Sequence, residues 1–429
     1  MNQPCHPWTD DDLISRGISY RGFGLPVSHL PFNPTEGELA LIAERTAAVS
    51  NAAELAVEAF ATDPAVRRLY AYGPLQEACV LRDPGYRPLI PLGRWDSFLF
   101  PDGPKFMEYN TDGTAGWHYT TALTALWREW AGLPPQTSPL TGRLLDTILY
   151  CFRQWDRRGI ERPRIAIVDW AEVGTRGDQD GIAAAFTAAG YPTTVEDPRA
   201  LRLDAGRLVG SAGPIDAVYR RLVSEEAFHR AEEIRPFLDA HLEGAACSVG
   251  SFRTDPAWSK TLFVLLSDPA FSYLWPDTLK PHIEASIPWT REVRPGLTSF
   301  KGEEGDMGDL LLSRRGEFIL KPTRGYEGRG VILGSLTADA EWREAVMGAL
   351  ERGDTLVQEM LRPAPVPLEQ GQSGYLQAGE YVLLGRLAGF LVRTSATPLI
   401  APEYPERYCP VGVEVPWSAE DTARRWSKT

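Results

Sequence analysis

The sequence predicts a mixed α/β fold, because helix-and-strand units fill its first part and short strands fill its last part. Residues 36–61 carry apolar side chains at helical spacing, and Asp63-Pro64 ends that helix. Residues 164–169 form a short apolar strand that ends in an acidic residue, as in an open α/β sheet. From residue 300 onward the predicted strands are shorter and alternate with glycine turns, which indicates an antiparallel sheet.

The other predicted elements rest on the same patterns of apolar spacing and turn residues. Helices are predicted over residues 115–131, 140–158 and 181–190, and strands over 94–100, 105–110, 192–196, 201–209, 215–222, 318–321, 331–333 and 355–361. Residues 379–396 alternate in polarity and are predicted to turn at Gly385 and Gly389. The stretch 363–378, rich in Pro, Gln and Gly, is predicted to be a loop, and Arg176-Gly177-Asp178 a solvated loop.

The composition argues against several kinds of partner and location. The net charge of the 429 residues is −13, whereas nucleic-acid binding needs clustered Lys and Arg. The segment 1–10 lacks the apolar core of a signal peptide, and no apolar run approaches the roughly 20 residues that span a bilayer. The five cysteines are scattered without a CxxC pair, which is typical of a reducing compartment. We therefore expect a soluble cytoplasmic protein with no nucleic-acid or membrane partner.

A first polar cluster lies on two predicted strands joined by a Pro-Asp-Gly-Pro turn. Glu108 and Asn110 are two residues apart, so on a strand their side chains share a face. Asp96 lies on the neighbouring strand, and a turn of three or five residues places it on that face, opposite Glu108 or Asn110. Magnesium prefers such hard oxygen ligands. The alternative is a hairpin whose polar face meets water, but apolar side chains occupy both of its faces, where a carboxylate needs a partner.

A second cluster is the glycine-rich loop between the predicted strands 318–321 and 331–333. Gly325, Gly328 and Gly330 allow backbone N–H groups to approach phosphate oxygens, and Lys321 ends the strand before them. The spacing is neither that of a Walker loop nor that of a dinucleotide fingerprint. Taken alone, such a hairpin is more often only a turn.

A third cluster lies in the predicted strand 355–361. Its polar pair, Gln358 and Glu359, is a candidate to present backbone groups to the edge of an adenine ring. The alternative is a plain buried strand, which this pattern alone favours.

Together and in this order, the clusters resemble the circularly permuted ATP-grasp ligases typified by glutathionylspermidine synthase. The family's metal motif, R-x-D followed by E-x-N-x-D, reads here as Arg94-Trp95-Asp96 and then residues 108–112. The lid motif K-P-x-x-G-R-E-G is matched by residues 321–328, and the upstream lysine by Lys260 before a leucine-rich helix. The similarity spans roughly residues 90–400 and is thin between the motifs. The metal ligands precede the lid, which is the permuted order.

Two departures from the family pattern leave the substrate open. The family's Asp-Thr-Pro after the asparagine becomes Asp112-Gly113-Thr114, and its lid arginine becomes Tyr326. The resemblance implies a circularly permuted ATP-grasp fold in three units. These would be N-terminal helices with the metal-binding hairpin over 1–130, a Rossmann-like, pre-ATP-grasp-like substrate unit over 131–250, and an antiparallel lid subdomain with the return to the core sheet over 251–429.

The resemblance also implies a reaction. An ATP- and Mg²⁺-dependent ligase would join a small-molecule or peptide carboxylate to an amine through an acyl phosphate. Asp96, Glu108 and Asn110 would hold one or two Mg²⁺ ions, and Arg94 would stabilise the charge on the transferring phosphoryl group. The residues implied to lie at the nucleotide phosphates are Lys260, Lys321 and the lid glycines Gly325, Gly328 and Gly330. Beside them, Gln358 and Glu359 stay candidates for the adenine edge, and Arg393, on a late strand, is a candidate for a phosphate contact.

The substrate-binding predictions are Asp112 and Thr114 for the amine, and Arg220 or its neighbour Arg221 for a carboxylate. His118 is expected to be a hydrogen-bonded residue at a helix start. Two other functions are compatible with the same motifs. One is a catalytically inactive nucleotide-binding or scaffold protein, and the other is an enzyme that passes the acyl phosphate to an acceptor other than an amine.

Overall fold

The computed structural model describes residues 7–325, 330–397, 406–423 and 426. Three larger sheets organise these residues. The first, called the central sheet, is antiparallel and mixes strands from both ends of the chain. In spatial order it contains Glu406–Cys409, Arg386–Ser395, Ser373–Leu383, Leu92–Phe100 and Gly103–Asn110, with Val366–Pro367 paired to Ser373–Leu383.

The second, the parallel sheet, lies in the middle of the chain, where the sequence predicted an α/β unit. Its strands, in spatial order, are Cys247–Val249, Ala217–Arg220, Ile165–Val168 and Thr193–Glu196. The third sheet is antiparallel and contains, in spatial order, Thr290–Glu292, Thr355–Glu359, Phe318–Pro322 and Ile332–Leu333. The chain therefore has the mixed α/β architecture that the sequence predicted. The unit boundaries at residues 130 and 250 stay a prediction.

Short strands and helices complete the described structure. The small strands are Ser19–Tyr20 with Phe23–Gly24, Leu297–Phe300 with Glu303–Asp306, and Arg202–Asp204 with Arg207–Gly210 and Gly213–Pro214. The α-helices are Asp10–Ser15, Glu36–Thr62, Pro64–Arg67, Pro74–Leu81, Trp117–Trp130, Leu140–Trp155, Arg176–Ala188, Ser224–His229, Arg235–Glu243, Asp255–Trp258, Thr261–Ser267, Lys280–Ser286, Met307–Ser313, Asp339–Arg352 and Ala419–Ala423.

The long helix Glu36–Thr62 explains why the central sheet has one apolar and one polar face. A capping box between Thr35 and Glu38 starts the helix, and its alanine- and valine-rich side packs on the sheet. Trp95 and Tyr109 stack at 3.9 Å between ring centroids on that side. Strand alternation then turns the residues on either side of Trp95 and Tyr109 to the opposite face.

Four expectations from the sequence are wrong. Residues 363–378 are not one loop, because Ser373–Leu383 pairs along both of its edges and this pairing outweighs the weak strand propensity of Gly and Gln. Gly389 does not turn the chain but lies inside a strand, where a Cβ would come within 3.0 Å of Leu140 Cδ1. Residues 201–209 are a hairpin rather than one strand.

The fourth error concerns the predicted solvated loop Arg176-Gly177-Asp178, which is the first turn of a helix that starts earlier than predicted. Asp178 is fully buried. Its carboxylate accepts hydrogen bonds from the backbone N–H groups of Gly116 at 2.9 Å and His118 at 2.8 Å. A charged side chain can be buried here because the helix Trp117–Trp130 offers it unpaired N–H groups.

Gly116 is a close-contact position that we expect to control stability. Its φ is +96°, and a Cβ there would lie 2.5 Å from the hydroxyl oxygen of Tyr381. Gly132 is also left-handed, with φ of +67°, but no atom lies within 4 Å of its would-be Cβ. Each Gly→Ala change should cost about 1–2 kcal/mol of unfolding free energy for backbone strain. Gly116→Ala should cost about 1–3 kcal/mol more, because its methyl group has no space.

Urea unfolding of the two variants separates backbone strain from steric overlap. Equal losses of unfolding free energy at the two glycines would show that the packing around Gly116 is not as tight as described.

Candidate functional site

A cavity of about 820 Å³ lies between the polar face of the central sheet and the carboxyl edge of the parallel sheet. Ligand sites of α/β proteins commonly occur outside the carboxyl ends of parallel strands. The lining of the cavity includes seven of the residues predicted to bind ligands: Arg94, Asp96, Glu108, Asn110, Asp112, Thr114 and Arg393. The parallel-sheet side contributes Asp169, Trp170, Thr175 and Arg221.

The hairpin of the central sheet brings its polar residues together as predicted. Asp96 pairs directly with Glu108, and Arg94 pairs with Asn110. A bulge follows Asp96, and the two-residue turn after Phe100 is shorter than either turn considered from the sequence. The shared face of these residues is confirmed, whereas their roles as metal ligands and catalyst stay predictions.

Asp96 is nearly buried and is neutralised by two arginines. Arg94 donates from Nε to Oδ1 at 2.6 Å and from Nη2 to Oδ2 at 3.1 Å. Arg393 donates from Nη2 to the same Oδ2 at 3.2 Å and to Gln377 Oε1 at 2.5 Å. Gly379 makes room for the first contact, since a Cβ there would lie 2.8 Å from Arg94 Cδ. The site therefore contains its own counter-ions.

Lys260 connects the metal hairpin with the glycine-rich loop. Its Nζ donates to Glu108 Oε1 at 3.1 Å and to the backbone oxygen of Gly325 at 2.6 Å. Glu108 and Lys260 are 152 positions apart in the sequence. The structure thus joins the metal hairpin, the upstream lysine and the glycine-rich loop at one place.

Lys321 lies next to this contact. Its Nζ donates to Gln358 Oε1 at 2.6 Å. Burial, and after it the positive charge of Lys260, lower the pKa of Lys321 to about 8, whereas the charge of Glu108 opposes this shift. Two lysines and one carboxylate therefore share a partly dehydrated position.

The first part of the glycine-rich loop is tied to the segment that carries Lys260. The backbone N–H of Lys260 donates to the oxygen of Thr323 at 3.1 Å. Arg324 makes two hydrogen bonds to the fully buried Asp255, at 3.2 and 3.1 Å. Gly325 and Gly330 are described and both have positive φ, whereas Gly328 and Tyr326 lie outside the described residues.

Gln358 and Glu359 lie on the strand Thr355–Glu359, which is paired on both edges. Gln358 is buried, and its Nε2 donates to Thr290 Oγ1 at 3.0 Å. Glu359 pairs with Lys301 at 3.0 Å. Their proposed contact with adenine must therefore use groups at the end of the strand rather than its paired edges.

Two of the residues predicted to bind the substrate, Asp112 and Arg220, bind each other instead. They form a buried ion pair, and Asp112 also accepts a hydrogen bond from the backbone N–H of Ser224 at 2.5 Å. Arg220 additionally donates to the backbone oxygen of Gly250 at 2.6 Å. Among the described residues, Arg221 lines the cavity and Arg220 does not. Arg220 is therefore placed to hold the wall of the cavity, not to touch a ligand.

Thr114 lies in the wall and is fixed at both ends. Its Oγ1 donates to the backbone oxygen of Asn110 at 2.6 Å, and its own backbone oxygen accepts from Arg221 Nη1 at 2.6 Å. His118 is a hydrogen-bonded residue of the helix start, as expected, with Nε2 2.8 Å from the oxygen of Arg16. Sequence reasoning missed Asp169, Trp170 and Thr175. The one sequence signal for this wall was Asp169 itself, the acidic residue at the end of the predicted strand 164–169.

The donor set of the hairpin fits a magnesium ion. Among the described residues no group of three His, Cys, Asp or Glu side chains could hold a metal. Two carboxylates, Asp96 and Glu108, nevertheless face the amide of Asn110, whose Nδ2 is buried without a hydrogen-bond partner. Because the two ends of an amide are assigned by their contacts, this unpartnered end is equally an oxygen that is free to bind a cation. Magnesium needs few protein oxygens when it keeps waters and phosphate oxygens.

Comparison with known proteins identifies the fold. No family model and no curated protein matches the chain. A solved glutathione synthetase-like effector from Globodera pallida is similar with a TM-score of 0.62 over 94% of each chain, at 12% sequence identity. At that identity the likeness shows the fold alone. The chain therefore has an ATP-grasp-like fold of mixed α/β class, as predicted, whereas its circular permutation stays a prediction.

Two other solved structures are similar over smaller parts of the chain. D-cycloserine synthetase matches with a TM-score of 0.34 at 17% identity, covering 57% of this chain and 72% of its own. D-alanyl-alanine synthetase A from Vibrio cholerae matches with a TM-score of 0.30 at 11% identity, covering 63% of this chain and 80% of its own. Scores this low support no argument about this chain. Separately, none of the helices in the described part of the chain is long and apolar enough to cross a bilayer.

The lowered pKa of Lys321 predicts how nucleotide affinity depends on pH. In the ligand-free protein this ammonium loses its proton as the pH rises through about 8. A phosphate contact requires the charged form, so ATP affinity should be full near about pH 7 and should fall toward about pH 9. In Lys321→Arg the guanidinium stays charged, and the fall should disappear.

Calorimetric titration with ATP across this pH range tests the prediction. Lys105→Arg serves as the control, because Lys105 does not line the cavity. An equal loss of affinity with pH in the parent and in Lys321→Arg would remove Lys321 from the phosphate contacts.

Proposed function

We propose that the protein is an ATP- and Mg²⁺-dependent ligase that joins a carboxylate to an amine through an acyl phosphate. The observation that carries the proposal is the double contact of Lys260 with Glu108 and Gly325. It joins a predicted metal ligand to the backbone of a glycine-rich loop, the two features needed around a triphosphate. The glutathione synthetase-like fold supports this proposal as an analogy.

The nucleotide phosphates would bind where the two lysines meet the loop. Lys260 and Lys321 are both close to Glu108, and each can transfer a hydrogen bond from its protein partner to a phosphate oxygen. The backbone N–H groups around Gly325 and Gly330 would add neutral donors, and we propose the same for Gly328. At the opposite side, Arg393 would be the cation nearest to Asp96 after Arg94.

Asp96, Glu108 and Asn110 would hold the magnesium, which neutralises phosphate charge and orients the phosphates when bound. Asp96 must then give up at least part of its pairing with Arg94. The released Nε and Nη2 groups of Arg94 would be turned toward the transferring phosphoryl group. Their planar arrangement suits two oxygens whose charge changes during the transfer.

The carboxylate and the amine would enter from the parallel-sheet end of the cavity, where Thr114 lies in the wall. Asp112 and Arg220 would shape that wall through their buried ion pair. Gln358 and Glu359 would position the adenine from the end of their strand. In this proposal the substrate carboxylate attacks the phosphate, so no side chain acts as a nucleophile.

A phosphate-release screen over pairs of acids and amines, followed by mass spectrometry of products, tests the proposed reaction. Release that needs both an acid and an amine supports the ligase. Release that needs an acid alone indicates an enzyme with another acceptor. Nucleotide binding without any release would indicate a catalytically inactive nucleotide-binding protein.

Glu108→Gln should abolish magnesium-dependent turnover, because it removes one of two carboxylates from the donor set. The fold should survive, since the side chain is partly exposed and keeps its hydrogen-bonding groups. Asp102→Asn is the control, because Asp102 lies in the turn of the same hairpin and outside the cavity. Normal ATP turnover by folded Glu108→Gln would rule out the metal assignment.

Arg94→Lys should separate catalysis from nucleotide binding. Lysine keeps the positive charge beside Asp96 but loses the two-pronged donor, so turnover should fall about a hundredfold or more. ATP affinity should stay close to that of the parent. Arg143→Lys measures the cost of an ordinary buried arginine, since Arg143 donates to the backbone oxygen of Ala388 and does not line this cavity. A turnover rate within a few-fold of the parent would exclude Arg94 from the mechanism.

A further inference from the structure

Two buried side chains of opposite charge lie at the parallel-sheet end of the cavity and have no part in the proposed phosphoryl transfer. Asp169 follows the strand Ile165–Val168, and Arg221 follows the neighbouring strand Ala217–Arg220. Both line the cavity, and they are only 6% and 2% exposed. Burial of both charges at one edge requires that each has a partner.

The partners are two consecutive residues in the first turn of the helix Arg176–Ala188. Asp178 accepts a hydrogen bond from Arg221 Nη1 at 3.0 Å, and Gln179 Nε2 donates to Asp169 Oδ2 at 2.7 Å. Among the ion pairs of the described residues, none joins Asp169 to Arg221. One helix turn thus holds a carboxylate and a guanidinium side by side without letting them neutralise each other.

One edge of Arg221 is only partly used as a hydrogen-bond donor. Its Nη1 is occupied, but its Nε is buried without any hydrogen-bond partner, and its Nη2 is 3.3 Å from Thr175 Oγ1. The Nε and Nη2 edge of an arginine is the one that binds a carboxylate with two parallel hydrogen bonds. In this chain Arg94 uses that edge for Asp96. The free Nε and the second N–H group of Nη2, beside the bond to Thr175 Oγ1, therefore fit an oxyanion that comes from outside the protein.

A second arginine reaches the same end of the cavity. Arg21 lines the cavity, is exposed, and forms no ion pair with any residue in the described ranges. Its backbone N–H donates to the oxygen of Gly174 at 2.8 Å, and a Cβ on Gly174 would lie 2.8 Å from Arg21 Cγ. Gly174 precedes Thr175, the residue beside Arg221 Nη2. The glycine therefore allows Arg21 to approach the position that Arg221 faces.

The surroundings of Asp169 favour a cation. Glu226 lines the same end, and its charge opposes ionisation of Asp169. Burial is the main reason that the pKa of Asp169 rises to about 6, and Arg221 counteracts this rise. A ligand with only an anion would meet Asp169 and Glu226, and a ligand with only a cation would meet Arg221 and Arg21. A group that carries both charges satisfies both sets.

We propose that this end of the cavity binds a substrate through a free α-amino carboxylate. The substrate carboxylate lies on the Nε and Nη2 edge of Arg221, with Arg21 as a second cation, and its ammonium group lies on Asp169. Asp178 acts as the positioning residue for Arg221. The inference rests on the proposed function in that it describes one of the two substrates of the ligase.

Three small probes of matched shape test the proposal directly. Norvaline carries both charges, pentanoate lacks its ammonium group, and butylamine lacks its carboxylate. We expect the parent protein to bind norvaline about tenfold more tightly than either of the others, by titration at low salt. A parent protein that binds pentanoate or butylamine as tightly as norvaline would overturn the proposal.

Variants then show which side chain binds the carboxylate of the probe and which binds its ammonium group. Arg21→Gln changes an exposed residue and should lower the preference for norvaline over butylamine. The double change Asp178→Asn with Arg221→Gln removes both members of a buried pair, so that no unpaired charge is left, and should abolish that preference. Asp169→Asn should instead remove the preference for norvaline over pentanoate. Arg235→Gln, at an exposed arginine outside the cavity, is the control.

The ratios between probes distinguish recognition from stability. A purely structural role of Asp178 or Arg221 would weaken all probes alike and leave the ratios unchanged, which would contradict the proposal. Affinity for Mg-ATP is measured on the same variants. Intact nucleotide binding with unchanged probe ratios would refute this subsite alone, whereas absent nucleotide binding with the expected ratios would refute the ligase alone.

Discussion

The two carboxylates on the polar face of the central sheet, Asp96 and Glu108, determine how distant parts of the chain are held together. A carboxylate that is withdrawn from water costs several kcal/mol unless a cation lies beside it. Asp96 is met by Arg94 from its own strand and by Arg393 from another strand of the sheet. Glu108 is met by Lys260, which also binds the glycine-rich loop. The need to neutralise two charges thus brings the third sheet against the central sheet.

The opposite wall depends on one more buried carboxylate. Asp178 accepts hydrogen bonds from the first N–H groups of the helix Trp117–Trp130 and from Arg221. The helix begins a short loop after the metal hairpin, and Arg221 directly follows a strand of the parallel sheet. One side chain therefore links the segment after the hairpin to the carboxyl edge of the parallel sheet. The two sheets also share one buried apolar cluster, so ion pairs line the cavity while apolar packing holds the sheets together beside it.

Local spacing predicted the fold class and the shared face of the hairpin, because strand alternation needs only neighbouring residues. The partners of those residues could not be predicted, since Arg393 and Lys260 reach them through tertiary contacts across long separations. The choice between Arg220 and Arg221 shows the same limit. Arg220 is the last residue of a strand and Arg221 is the first residue after it, so where the strand ends against the central sheet decides which one meets the cavity. The burial of Asp178 was hidden by its polar neighbours.

The ion pairs that the site residues make with each other imply that binding is an exchange of partners. Under the proposed function, a divalent cation takes the carboxylates, which leaves the arginines and Lys260 without partners. A triphosphate takes these cations, which leaves Asp96 and Glu108 unpaired. Either ligand alone thus creates buried unpaired charge, whereas both together leave none. Each ligand must therefore strengthen the binding of the other by the same factor, because coupling free energies are reciprocal. The ion pairs that hold the walls in place thereby make the site respond to the complete metal–nucleotide complex rather than to its parts.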